Sequence, residues 1–94
     1  MTDIKVTHKN IEAFWAKATK GTRMVCVANT YRDAAGSSGV IEKPGKTSMA
    51  LRRDDGKLSW LFPPFNVRDV VSLTEDTITY KIGIEDHTAT WRIA

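Results

Sequence analysis

Apolar positions in this chain change period after the first quarter of its length. Ile11, Phe14, Trp15 and Ala18 recur at i, i+3, i+4 and i+7, the spacing of a single helix face. Thr7 stands where an N-cap is wanted and Gly21 where a helix stops, so the pattern predicts a helix from about His8 to Lys20. Phe14 and Trp15 side by side are a large apolar payload for a short helix and read as its anchor on the rest of the fold. Ahead of it, Ile4 and Val6 alternate as a short strand or an arm. From Arg23 onward the period is two, as in strands.

Met24, Cys26 and Ala28 alternate with Arg23, Val25 and Val27, and a polar loop follows from Asn29 to Ser38. Val40 to Glu42 reads as a short strand, ended by the turn Lys43-Pro44-Gly45-Lys46. Thr47 to Arg53 returns, and Asp54-Asp55-Gly56-Lys57 predicts a type I′ hairpin into Leu58 to Phe62. The prolines of Phe62-Pro63-Pro64-Phe65 end that strand, because proline donates no ladder bond. Asn66 to Val71 reads as one helical turn capped by Asn66, and Leu73 to Asp76 as a second turn. Thr77 to Ile84 and Thr88 to Ile93 form a closing hairpin around Glu85-Asp86. One helix and about six short strands predict a mainly β domain with an N-terminal helix. Its form is a small β-barrel or a strongly twisted antiparallel sheet. Residues 1–94 read as one domain, with arm and helix over 1–20 and the barrel over 21–94.

Gly36-Ser37-Ser38-Gly39-Val40-Ile41, preceded by Val25 and Val27, resembles the KOW motif of SH3-like barrels in ribosomal proteins and transcription elongation factors. Gly36 and Gly39 match the motif's glycines and Ile41 its apolar position. The family's basic residue between the glycines is replaced by Ser37 and Ser38, and the loop at Asn29 to Ala35 is longer. The resemblance implies a small SH3-like β-barrel more than it implies RNA binding.

Composition narrows the class. The 94 residues are 41% apolar and 27% charged, as in ordinary globular domains. No apolar run is long enough for a transmembrane helix, and the first ten residues lack the apolar core of a signal peptide. Cys26, the single cysteine, lies in an apolar strand and reads as a small buried hydrophobe, not a reactive thiol. A cytoplasmic protein without membrane association is expected. Net charge is only +3, but residues 1–60 carry eleven Lys/Arg against six Asp/Glu, while residues 61–94 carry three against five. The basic excess therefore sits in the helix and first hairpins.

Catalytic and metal signatures are weak. His8 and His87 are the only histidines, and no pair of ligands has zinc spacing. Glu85-Asp86-His87, Asp54-Asp55 and Glu75-Asp76 read as turn residues. Ser37 and Ser38 form neither a nucleophile elbow nor a phosphate loop. No cofactor, metal or catalytic residue is expected. A ligand or active site at an oligomer axis is the third reading, behind two others. The first is nucleic acid, DNA or RNA, bound by Arg32, Lys43, Lys46, Arg52, Arg53 and Lys57 with Tyr31 and Trp60 as stacking platforms. The second is a protein partner or a homodimer, joined through Phe62, Pro63, Pro64 and Phe65 and through a closing hairpin bearing Tyr80 and Trp91.

Overall fold

The computed structural model describes residues 3–30, 36–82 and 87–94. Helix α1 (His8–Ala16) precedes β1 (Arg23–Asn29), β2 (Ser38–Lys43), β3 (Met49–Arg53), β4 (Leu58–Leu61), β5 (Val70–Leu73), β6 (Thr77–Lys81) and β7 (Thr88–Ile93). A 3-10 turn at Val67–Asp69 joins β4 to β5. The chain is mainly β with one helix, as its periodicity predicts. The strands form one antiparallel sheet of seven, in the order β4-β3-β2-β1-β7-β6-β5, so β4 and β5 are its two edges. The strand beyond the expected six is β5, where the sequence suggested the end of a helical turn and then a second turn. Its pairing with β6 slips between Val70 and Ser72. That bulge breaks the alternation by which a strand is read.

The Thr7 hydroxyl caps α1 by accepting the Asn10 amide at 3.1 Å, satisfying one of the donors a helix start leaves unpaired. The helix stops at Ala16, earlier than Lys20. Bonds from Lys17 N to Phe14 O (3.2 Å) and Ala18 N to Trp15 O (3.1 Å) tighten its end. The Thr19 and Thr22 hydroxyls then bond each other at 3.2 Å, diverting the chain into a turn, and Gly21 takes the positive φ (+93°) leading to β1. Ile11, Phe14, Trp15 and Ala18 are all buried, so the expected stripe is the helix's core face. Phe14 and Trp15 meet edge to face, with centroids 5.0 Å apart.

Every strand feeds this core. Met24, Ile41, Met49, Leu51, Leu61, Val70, Leu73, Ile78, Tyr80 and Ala89 join the helix residues in one cluster, and each large side chain withdrawn from water contributes about 1.5–3 kcal/mol. Cys26 is fully buried, and burial pushes its thiol pKa up against the smaller opposing effect of a bond to Ala28 O. Gly39 sits at a close approach between strands. A Cβ there would stand 3.1 Å from Leu51 Cβ and 3.2 Å from Arg52 O, so glycine lets β2 lie against β3.

The β3–β4 hairpin differs from its expected type I′ form. Gly56 N bonds to Arg53 O at 3.0 Å and Arg53 N to Lys57 O at 2.9 Å. Gly56 is thus the fourth residue of the turn, with φ +85°, the arrangement of a turn followed by a glycine bulge. The Asp3–Val6 stretch is an arm rather than a strand; Ile4 N donates to Leu73 O at 2.7 Å, on the edge strand β5.

Candidate functional site

The two most exposed large apolar side chains among the described residues, Trp60 and Phe62, lie on and just after β4 with Leu58, while Val27, Val67 and Val71 are exposed elsewhere. Leu58 is 45% exposed, Trp60 57% and Phe62 66%, while Leu61 is in the core. Alternation along a strand puts residues 58, 60 and 62 on one face, here the face turned away from the helix and core.

The backbone of β4 has a direction as well. In an antiparallel ladder, hydrogen-bonded and non-hydrogen-bonded pairs alternate. Arg53 N bonds Lys57 O, so the pairs Arg52–Leu58 and Ala50–Trp60 are of the non-bonded kind. The N–H and C=O groups of Leu58 and Trp60 therefore point away from β3, to the open side of the sheet. Phe62 continues that series, and an extended conformation is favoured for it by Pro63. Among the described residues, no other backbone group pairs with these three.

The neighbouring strands supply charge. Pairing registers put Arg23, Val40, Arg52 and Leu58 in one cross-strand row, and Lys43, Ala50 and Trp60 in the next. Arg52 holds Glu42 by two bonds, Nε to Oε2 at 2.7 Å and Nη2 to Oε1 at 3.1 Å. A third bond runs from its Nη1 to Gly56 O at 2.7 Å. That pairing draws the Glu42 carboxyl below its ordinary pKa, chiefly through the hydrogen bond and against slight desolvation. Arg53 lies 3.3 Å from Asp55 and Arg23 3.3 Å from Asp54, with Arg23 also donating to Ser38 at 3.1 Å. Arg52 and Arg53 of the expected basic meander are thus matched by carboxylates. Lys43, Lys46 and Lys57 make no side-chain ion pair among the described residues, whereas Tyr31 and Arg32 lie outside them.

The residues expected at a protein interface separate. Phe62 is exposed and Pro63 buried; Pro64 and Phe65 are half-buried, with the Pro64 carbonyl accepting the Trp15 indole N–H at 3.1 Å. Tyr80 belongs to the core, where burial raises its phenol pKa well above the ordinary value. Trp91 is half-buried in β7, which lies between β1 and β6. The closing hairpin is therefore inside the sheet, and the strands available for edge pairing are β4 and β5.

A cavity of about 560 Å³, lined by His8, Glu12, Trp15, Lys46, Met49 and Phe65 among others, opens between α1 and the turn before β3. The i, i+4 spacing of His8 and Glu12, which lie 3.0 Å apart, was its one legible signal. No cluster of three potential metal ligands occurs among the described residues; His87 stands 3.3 Å from the Thr30 hydroxyl, and Glu85 and Asp86 lie outside the described residues. No helix is long and apolar enough to cross a membrane. Comparison with known proteins finds no matching family model, no matching curated protein and no matching solved structure.

Proposed function

We propose that this chain is a protein-interaction module that docks a partner by strand addition along β4. The observation that carries this reading is the row Leu58, Trp60 and Phe62, exposed on a strand whose outward backbone groups are unpaired. Backbone bonds to an added strand supply affinity, and the apolar row supplies selectivity. Trp60 at its centre is the residue type most often found carrying an interface. The carboxylates on Arg23, Arg52 and Arg53 favour this reading over a phosphate-binding surface, since a guanidinium held by a carboxylate is a poorer phosphate donor.

The experiment is affinity capture with the wild type beside Trp60→Lys. A protein retained by the wild type and lost from a folded variant supports docking at β4; a protein retained equally by both refutes it. Nucleic-acid binding is the second reading, supported by Lys43, in the cross-strand row of Trp60, and by Lys57, both exposed and without ion-pair partners among the described residues. It predicts a gel shift with DNA or RNA that weakens steeply with salt and disappears in Lys43→Glu with Lys57→Glu. Absence of any shift at low salt removes it. The finer fold reading, a sheet curled in SH3-like fashion, is supported by the bulges in the β1–β7, β2–β3 and β5–β6 ladders, since bulges add twist and bend strands.

A further inference from the structure

We infer that the strand added to β4 is β4 of a second copy, paired antiparallel about Trp60. This rests on the docking reading above and names its partner.

The two edges of the sheet are treated differently. On β5, the arm bonds Leu73 O through Ile4 N at 2.7 Å, so part of that edge is covered. On β4, no such cover exists among the described residues, and the exposed side chains there are apolar rather than the charges that usually guard an edge.

Register then selects the partner. An added strand bonds only if its own outward-facing residues meet residues 58, 60 and 62, the positions whose N–H and C=O leave the sheet. Two copies of β4 satisfy this when Trp60 faces Trp60 and Leu58 faces Phe62 in both directions. Each of those pairs exchanges N–H···O bonds in both directions, and each puts two apolar side chains on the same face. Sliding the copies so that Leu58 faces Trp60 sets Phe62 against Gly56, a turn residue with φ +85°. Sliding them the other way sets Leu58 against Pro64, which has no N–H. A one-residue slip opposes outward groups with groups already bonded to β3. The pairing centred on Trp60 alone uses the whole edge, and that edge ends at the Gly56 turn on one side and Pro63 on the other. Lys57 then opposes Pro63 of the second copy, so no like charges meet.

The interface is small. At 57% and 66% exposure, Trp60 and Phe62 have at most on the order of 250 Å² per copy to withdraw, below the roughly 800 Å² per partner of a standard interface. The dimer is therefore reversible and concentration-dependent.

The test is sedimentation of the wild type and Trp60→Lys from roughly 1 to 500 µM, with disulfide trapping in Leu58→Cys combined with Phe62→Cys. Within one copy those cysteines are about 13 Å apart, too far to bridge, and Cys26 is buried, so a disulfide between them joins two copies. The expected results are a mass rising from 10.5 kDa towards twice that value, association weakened at least tenfold by Trp60→Lys, and a trapped dimer in the double variant but not in Leu58→Cys alone. Circular dichroism of each variant separates lost pairing from lost folding. A monomer at every concentration with no trapped dimer overturns the second-copy inference. In that case docking at β4 still stands if the wild type, but not Trp60→Lys, retains a different protein; if neither retains one, both fall.

Discussion

Trp15→Phe isolates the contact that fixes the chain just after β4. The indole N–H donates to Pro64 O at 3.1 Å, and its ring lies edge-on to Phe14 at 5.0 Å. Phenylalanine keeps a ring against Phe14 but removes the donor, at a cost of about 0.5–1.5 kcal/mol for the bond. It also loses roughly 40 Å² of buried apolar surface, worth about 1 kcal/mol at ~25 cal/mol per Å². Trp15 borders the cavity beside α1, so water and neighbours can fill the space and no large penalty for a sealed void is added. The sum is about 1.5–2.5 kcal/mol, which lowers Tm by about 6–20 °C in a domain of this size. Urea denaturation followed by circular dichroism provides the assay, and the midpoint should fall while the slope stays unchanged. A variant within about 0.5 kcal/mol of wild type refutes the argument, because neither the bond nor the buried ring would then hold helix to sheet.

Two further outcomes follow from the geometry of β2, β3 and β4. Ser59→Pro should cost about 3 kcal/mol or more by removing a ladder bond to β3, whereas Trp60→Pro should cost much less, since its N–H faces outward; equal urea midpoints would reverse the assigned strand direction. The Arg52–Glu42 pair predicts a pH dependence. Because the folded state lowers the Glu42 pKa, the pair's stabilisation is complete above the ordinary value of 4.5 and is lost as pH falls through the lowered value. The Tm gap between wild type and Arg52→Gln should therefore narrow in acid, leaving the part due to the Gly56 O bond, and a gap constant from roughly pH 7 to pH 2 contradicts that origin.

The helix was legible because Ile11, Phe14, Trp15 and Ala18 share one uninterrupted face, and its cap because Thr7 stands directly before them. Its end was not, since Lys17 and Lys20 suit a helix by residue type, and the competing bonds depend on how Thr19 and Thr22 fold together. β5 escaped because Val70 and Leu73 are buried while Val71 and Ser72 are not, a pattern made by pairing rather than by local preference. The candidate site was half legible. Aromatic residues around position 60 were visible, but whether Trp60 points into the core or out of it depends on which face of β4 meets α1. Charge was misleading for a related reason: Arg52 and Glu42 are ten residues apart in sequence, and only the β2–β3 register brings them together.

The same register explains why Trp60 is exposed without destabilising the monomer. Leu61 and Met49 face each other on the inner side of β3–β4 and are both buried, so β4 is held by its inner residues and by its ladder to β3. Its outer row adds only the cross-strand contacts of Trp60 with Ala50 and of Leu58 with Arg52. Leu58, Trp60 and Phe62 are consequently released from the packing demands that fix Leu61, and polar residues would serve a solitary monomer better at all three positions. Three large apolar side chains in strict alternation, on the one edge without a covering arm, impose a solubility cost that the monomer's fold does not require. A strand that completes the sheet at β4 accounts for the side chains and the unpaired backbone groups together.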